Sequence, residues 1–239
     1  MYESVILGGA QVEPTKLKRI GTFEQYKLKS FKDLDNKLLS RLHKDWPAGA
    51  THAVFRFAEP IKNVWKVSKP LLPKYNVAII YSAKPSRIKV RKVALPETLT
   101  VGRLPRAKML KLFLKGSNET VKKIKKLGPA FKKEIRGAVA LMKKARHESL
   151  FKDGKPVTLS AIVKRKNYLG ENCDWILWGW VAPGLSKSES AAENEHFWGL
   201  WKKSRLPVEL KTRSFMPRNQ ELALARGFTP KYVTVAKMP

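Results

Sequence analysis

The stretch Asp174–Val181, DWILWGWV, is the part of the sequence that says most about the fold. A short apolar run with aromatic and β-branched residues predicts a buried strand. A second run of this kind, Asn76–Ala83 (NVAIIYSA), predicts another. Elsewhere, Lys-rich segments carry apolar residues at helical spacing. The sequence therefore predicts an α+β fold with mixed, largely antiparallel strands and several basic amphipathic helices.

Outward from these two runs, the sequence predicts a mixture of helices and strands. Further strands are predicted at 51–58, 87–95, 157–166, 208–215 and 232–236, and helices at 31–46, 105–114, 117–127, 129–150, 186–204 and 219–226. Ser117 is expected to cap the second basic helix. The turn Lys84–Ser86 is expected to join 76–83 and 87–95 into an antiparallel hairpin.

The domain organisation is predicted from the same pattern. We expect an extended arm or lead-in over residues 1–30 and a single α+β globular domain over 31–239. Within that domain, the middle of the chain, residues 61–166, is expected to face nucleic acid.

Charge dominates the composition. Lys and Arg total 49 against 19 Asp and Glu in 239 residues, which gives a net charge of +30. A charge of this size opposes compaction, and nucleic acid is the polyanion that most often neutralises it. Residues 61–166 hold 29 basic and 5 acidic residues, and therefore most of the excess. The sequence predicts a concentrated nucleic-acid face.

Candidate contacts to phosphate are the basic residues of the predicted helices and of the strand 87–95. Alternation along that strand places Arg87, Lys89 and Arg91 on one face at roughly 7 Å intervals, close to the spacing of successive phosphates; an edge strand guarded by charge is the alternative. The predicted nucleic-acid-binding residues are Arg87, Lys89, Arg91, Arg103, Arg106, Lys108, Lys122, Lys123, Lys125, Lys126, Lys132, Lys133, Arg136, Lys143, Lys144, Lys164, Arg165 and Lys166.

The aromatic cluster is interpreted as core. Trp175, Trp178 and Trp180 lie in an apolar strand, and Trp198 and Trp201 share one face of the helix that follows. Stacking platforms for bases usually lie among basic residues, and this segment is the least basic part of the chain. Packing in the core is therefore favoured over base stacking.

Catalytic motifs are not found in the sequence. The four histidines are scattered, and the single cysteine, Cys173, excludes an internal disulfide and a cysteine zinc cluster. The acidic residues Glu171, Asp174, Glu189, Glu193 and Glu195 cluster, but solvation and the helix dipole explain them. No catalytic residue, metal site or cofactor is predicted, and the chain is predicted not to be an enzyme.

This profile resembles that of ribosomal proteins as a class. The size and Trp content of the chain are more similar to those of the lineage-specific proteins of mitochondrial ribosomes than to those of the small bacterial-type ribosomal proteins. The resemblance implies a structural rRNA-binding protein in translation, located in the mitochondrion or otherwise the cytoplasm. Its partners would be RNA and neighbouring proteins of a ribonucleoprotein, with no membrane and no small-molecule substrate. Three alternatives stay open: an RNA-processing enzyme or nuclease subunit, a DNA-packaging or viral nucleoprotein, and a basic peripheral membrane protein.

Overall fold

The computed structural model describes residues 6–7, 10–17, 21–30, 33–44, 46, 50–59, 75–123, 128–213 and 217–237. Its strands are β1 (Ile6–Leu7), β2 (Ala10–Leu17), β3 (Gly21–Leu28), β4 (Ala50–Phe57), β5 (Tyr75–Ala83), β6 (Thr100–Gly102), β7 (Arg146–Lys152), β8 (Lys155–Pro156), β9 (Thr158–Lys166), β10 (Asn172–Val181), β11 (Val208–Arg213) and β12 (Thr229–Lys237). Its helices are α1 (Asn36–Lys44), α2 (Arg106–Lys123), α3 (Gly128–Met142), α4 (Lys187–Lys202) and α5 (Pro217–Ala225). The predicted α+β fold with mostly antiparallel strands is confirmed.

The chain divides into two compact units. The first comprises Met1–Ser82, Lys166–Glu171 and Lys211–Pro239. Its strands follow the order β1-β2-β3-β4-β12-β5, in which β3 and β4 are parallel and β12 is antiparallel to both of its neighbours. Residues 77–80 of β5 are all buried, so both faces of this strand are covered. An unbroken apolar run is typical of a strand that is buried on both faces.

The second unit comprises Ala83–Arg165 and Asn172–Leu210. Its strands follow the order β10-β9-β7-β6, and the first residues of β11 continue it beside β10. Helices α2 and α3 pack their apolar stripes, among them Met109, Phe113 and Ile135, against Leu159 and Ala161 of β9.

Helices α2 and α4 lie on opposite faces of β10. A Cβ on Gly116 of α2 would come within 2.8 Å of the Trp180 ring, and a Cβ on Gly179 would come within 3.0 Å of the Phe197 ring of α4. Adjacent residues of a strand point to opposite faces, so Trp180 meets one helix while the backbone of Gly179 meets the other. Both faces of the second unit's sheet are therefore covered by helices at β10.

The strand predicted at 87–95 is wrong, and so is the hairpin that it was expected to complete. The chain forms one 3-10 turn at Pro85–Arg87 and then runs extended without strand pairing. The backbone N–H of Arg91 donates to the carboxylate of Glu195 at 2.7 Å, so this segment is tied to α4. Strand β5 pairs with β12 instead.

Two helix boundaries are also corrected. The helices predicted at 105–114 and 117–127 form one helix, α2, in which Ser117 is buried within the helix and is not its cap. The helix predicted at 129–150 ends at Met142, and Arg146–Lys152 forms β7, which pairs with β6, β8 and β9. Helical spacing of apolar residues missed this change because the stripe ends only one turn before the strand.

Candidate active site

Strand β10 loses its parallel partner part-way along its length. Asp174 and Trp175 pair with the first two residues of β11, whereas β10 continues to Val181 without further pairing to β11. Residues 176–181 therefore present backbone N–H and C=O groups with no partner in β11. Polar backbone groups of this kind need a partner, which is water or a ligand.

Gly179 lies on β10 between two residues that pack against the core of the second unit. Leu177 and Trp180 both contact the cluster of α2, α3 and β9. A Cβ on Gly179 would come within 3.0 Å of the Phe197 ring of α4. A glycine in a strand allows such a close approach to its backbone.

The turn from β10 into α4 offers free backbone donors. Gly184 adopts φ 91°, in the left-handed region that favours glycine. Ser186 caps α4, since its hydroxyl accepts the N–H of Glu189 while the Glu189 carboxylate accepts the N–H of Ser186. Within the described residues, the N–H groups of Lys187 and Ser188 form no hydrogen bond, as expected for the first residues of a helix.

The charge of Glu189 is balanced within the chain. Hydrogen bonds from the backbone N–H of Ser186, from Lys152 and from Thr98 together lower the pKa of Glu189 to about 2. The Glu189 carboxylate lies 2.9 Å from Nζ of Lys152 and accepts a hydrogen bond from Oγ1 of Thr98 at 2.8 Å. Because each of these partners favours the charged form, the buried carboxylate is ionised and paired.

Glu193 is a titratable group near the open edge. It shares a face of α4 with Phe197, one turn nearer to the start of the helix. Since α4 connects two parallel strands, it runs opposite to β10, which places Glu193 towards the C-terminal end of that strand. The side chain is half-buried and has no hydrogen bond or ion pair to a described residue. Burial raises its pKa to about 7.

A groove of about 450 Å³ lies between residues 90–95 and α4. Val90, Val93 and Leu95 give it an apolar side, while Glu195 and His196 line the helix side. Nε2 of His196 lies 2.6 Å from Oε1 of Glu148 on β7. An imidazole held by a carboxylate can exchange a proton with a bound molecule, so this groove is a second place where acid–base chemistry is possible.

The predicted nucleic-acid-binding residues are distributed over several elements. Arg87 lies in the 3-10 turn, Lys89 and Arg91 in the extended segment, and Arg103 before α2. Arg106 and Lys108 lie on α2, Arg136 on α3, and Lys143 and Lys144 follow α3; all of these are exposed. Lys164 and Lys166 on β9 are exposed, whereas the Arg165 guanidinium lies 4.6 Å from the centre of the Trp175 ring.

The remaining predicted residues are not described in full. Lys125 and Lys126 lie outside the described residues, and Lys122, Lys123, Lys132 and Lys133 belong to α2 and α3 without described side chains. The structure brings together Arg106 and Lys143, since the Arg106 guanidinium donates to the Lys143 carbonyl oxygen. It does not place Arg87, Lys89 and Arg91 along a strand.

The prediction that the tryptophans of β10 and α4 pack in the core is confirmed for three of the five. Trp175, Trp198 and Trp201 are buried and Trp180 is half-buried. The Trp178 side chain is outside the described residues. The features that the sequence interpretation missed are Gly179, the turn at Gly184 and Glu193. A glycine within a strand pattern signals a bulge or a close approach, and Ser186 followed by Glu189 is a capping-box signature.

In the part of the chain that the structure describes, no three His, Cys, Asp or Glu residues lie close enough together to hold a metal ion. No helix among the described residues is long and apolar enough to cross a membrane.

No family model and no curated protein sequence matches this chain. Among solved structures, a functionally unknown conserved protein from Staphylococcus epidermidis is 11% identical, with 98% of this chain and 96% of that chain covered and a TM-score of 0.49. A putative acetyltransferase of the GNAT family from Novosphingobium aromaticivorans is 11% identical, with 99% and 92% covered and a TM-score of 0.46. A GCN5-related N-acetyltransferase from Kribbella flavida is 9% identical, with 99% and 90% covered and a TM-score of 0.45. TM-scores below 0.5 assign this chain neither a family nor an activity.

The prediction of a structural rRNA-binding protein is contradicted by these comparisons, in which several of the similar structures are named as acetyltransferases, and it is withdrawn. The alternatives of a nuclease subunit and a nucleoprotein are dropped with it. So are the expectations that the chain is not an enzyme, that its partners are RNA and proteins of a ribonucleoprotein, and that it takes no small-molecule substrate. The physical reason is that a net charge of +30 indicates a need for anions and does not distinguish among them. The mitochondrial location stays a prediction.

Proposed function

We propose that this chain is an acyltransferase that takes an acyl group from a coenzyme A thioester and passes it to an amine. The observation that carries the proposal is the edge of β10 over residues 176–181, which has no partner in β11. In open sheets with parallel strands, ligands bind outside the carboxyl ends of the strands. Strand β10 ends at this place and leads through a glycine turn into α4.

The open edge fits the extended arm of coenzyme A. That arm carries two amide groups, and a chain with amides can hydrogen-bond to a free strand edge as an added strand does. Backbone donors and acceptors of residues 176–181 would therefore hold the arm.

The turn into α4 fits the phosphates. The N–H groups of Lys187 and Ser188 are the first donors of the helix, and helix starts favour anions. The Lys187 side chain is exposed and adds a positive charge. The carboxylate of Glu189 is paired with Lys152 and Thr98, so its negative charge is balanced and does not repel a phosphate. The net charge of +30 attracts a polyanionic cofactor from solution.

Glu193 supplies the proton chemistry. When bound, the coenzyme provides an activated acyl carbonyl. An amine attacks it only in its neutral form, and the C–S bond of the thioester breaks with release of the thiolate, so a neighbouring group must take up a proton from the amine nitrogen. A carboxyl with a pKa of about 7 is half ionised near neutral pH and is matched to this task. Its place on α4, facing the end of β10, puts the proton acceptor beside the open edge.

The proposal is tested by binding and by transfer. Titration calorimetry with acetyl coenzyme A should show binding that weakens with salt, since phosphates contribute. With a panel of aliphatic and aromatic amines added, a thiol reagent should record release of free coenzyme A. Absence of binding to acetyl, propionyl and longer acyl thioesters would exclude the proposal.

Variants separate binding from chemistry. Glu193→Gln should bind acetyl coenzyme A as the unchanged chain does and lose most of the transfer, on the order of 100-fold. Glu97→Gln is the matched control, because Glu97 is an exposed carboxylate of the same unit. Equal transfer rates in the two variants would show that Glu193 does not take part in proton transfer. The proposal that the edge of β10 binds coenzyme A would be unaffected.

A further inference from the structure

We propose that the outer face of α2 and α3 docks on an anionic phospholipid bilayer. This basic face consists of Arg103, Arg106, Lys108, Lys111 and Lys115 at and along α2, Arg136 of α3, and Lys143 and Lys144 after α3. All eight side chains are exposed. The inference is independent of the proposed acyl transfer, which uses β10 and α4.

The lysines of α2 form one stripe. Lys108, Lys111 and Lys115 follow the spacing of residues that share a face of a helix. The opposite stripe, with Met109, Phe113 and Gly116, is buried against the core of the second unit. The buried stripe fixes the rotation of the helix, so the three ammonium groups point to solvent together.

The positive charge extends from α2 to α3. The Arg106 guanidinium donates to the carbonyl oxygen of Lys143, which joins the start of α2 to the end of α3. Helices α2 and α3 hold one acidic residue each, Glu119 and Glu134, against the eight basic residues of this face. The basic face therefore keeps a large excess of positive charge, and it calls for an anionic surface as a partner.

Exposed aliphatic residues favour a bilayer over other polyanions. Leu114, 40% exposed, lies beside Lys111 and Lys115 on α2, and Val101, 49% exposed, lies two residues before Arg103. Among the described residues, the exposed large hydrophobic side chains are all aliphatic. Single-stranded nucleic acid is bound with aromatic platforms, whereas basic side chains mixed with apolar ones suit the boundary between headgroups and acyl chains.

The test is sedimentation of the full chain with vesicles of phosphatidylcholine, with and without phosphatidylglycerol. We expect binding to the phosphatidylglycerol vesicles alone, and its loss as salt is raised from about 0.1 M to about 0.5 M. Lys108→Gln, Lys111→Gln and Lys115→Gln together should weaken it on the order of 100-fold, since each lysine near an anionic surface contributes about fivefold. Leu114→Gln should weaken it further at constant charge.

The matched control replaces three exposed lysines elsewhere in the second unit, Lys155, Lys202 and Lys203, by Gln. It removes the same charge and should leave vesicle binding within a few-fold of the unchanged chain. Equal losses in the two triple variants would overturn the inference, and so would equal binding to neutral vesicles. Binding to structured RNA or to an acidic protein that persists when vesicles are in excess would overturn it as well. Thermal melts confirm that every variant is folded.

Discussion

The ring of Phe197 lies against the backbone of Gly179, where a Cβ would come within 3.0 Å of Cε2. This contact places α4 close to the backbone of β10, and it explains why a glycine occurs in an otherwise bulky strand. Gly179→Ala must displace the ring or the strand. We expect a loss of about 1–3 kcal/mol in the free energy of unfolding, measured by urea denaturation.

The control for this prediction is Gly137→Ala on α3, where a Cβ would meet no atom within 4 Å. That substitution should stabilise the chain by about 0.5–1 kcal/mol, because alanine favours the helix. Combining Gly179→Ala with Phe197→Leu should restore part of the lost stability, since the obstructing ring is gone. If Gly179→Ala is as well tolerated as Gly137→Ala, the contact does not hold α4 in place.

The capping box at the start of α4 predicts acid sensitivity. The pKa of Glu189 falls from 4.5 to about 2 in the folded chain. A lowered pKa contributes stability above the unfolded value, and this contribution is lost as the pH falls from about 4.5 towards 2. Glu189→Gln should therefore be less stable than the unchanged chain at pH 7, and the difference should shrink as the solution is acidified.

Urea midpoints across this pH range provide the measurement, with Glu97→Gln as the control for loss of one exposed carboxylate. The control should follow the unchanged chain at every pH. A difference between Glu189→Gln and the unchanged chain that stays constant down to pH 2 would show that the Glu189 charge plays no part in the cap.

The extended segment beside α4 gives a third prediction. The Arg91 N–H donates to the Glu195 carboxylate at 2.7 Å, and the Thr98 hydroxyl donates to Glu189. Glu195→Ala removes the first of these bonds and keeps the second. Hydrogen exchange at residues 88–95 should accelerate, while exchange in β7 stays unchanged.

Lys202→Ala provides the comparison, because Lys202 is an exposed residue of the same helix. Its exchange pattern should match that of the unchanged chain over residues 88–95. Unaltered exchange in Glu195→Ala would mean that apolar contacts alone, such as Val90 against Gly199, hold the segment.

Much of the fold could be predicted because local pattern and tertiary packing agree there. Residues 174–181 are apolar and bulky, and they form β10 within two residues of the predicted bounds. The predicted helix 186–204 corresponds to α4, whose cap and charge order are both encoded locally. Where a segment carries its own start and stop signals, the sequence is sufficient.

The candidate active site could not be predicted, because it is formed by contacts between residues that are distant in the sequence. Residues 87–95 alternate like a strand, but a strand needs a pairing partner. In the structure this segment is instead hydrogen-bonded to the carboxylate of Glu195, which lies over 100 positions later in the sequence. The separation of β10 from β11 likewise follows from tertiary packing. Glu193 was interpreted as solvated, because burial, which raises its pKa, cannot be seen from its neighbours in sequence.

Glu193 predicts a pH dependence of the opposite sign to that of Glu189. Its pKa is raised from 4.5 to about 7 in the folded chain. The unfolded chain therefore loses its proton first, and stability falls as the pH rises from about 4.5 to 7 and then levels off. Glu193→Gln should abolish this fall, so the variant gains stability over the unchanged chain at pH 8 and has none to gain at pH 4.

The same group sets the pH dependence of the proposed transfer, because only its ionised form accepts a proton from the amine. The rate at saturating acyl thioester should rise with pH through about 7 in the unchanged chain, and Glu193→Gln should lack this limb. Glu193→Asp keeps the carboxyl and should retain a limb at a shifted pH. In one outcome, Glu193→Gln loses the pH dependence of the free energy of unfolding but keeps the rise of the transfer rate with pH. That result would show that Glu193 is a buried acid without a role in proton transfer.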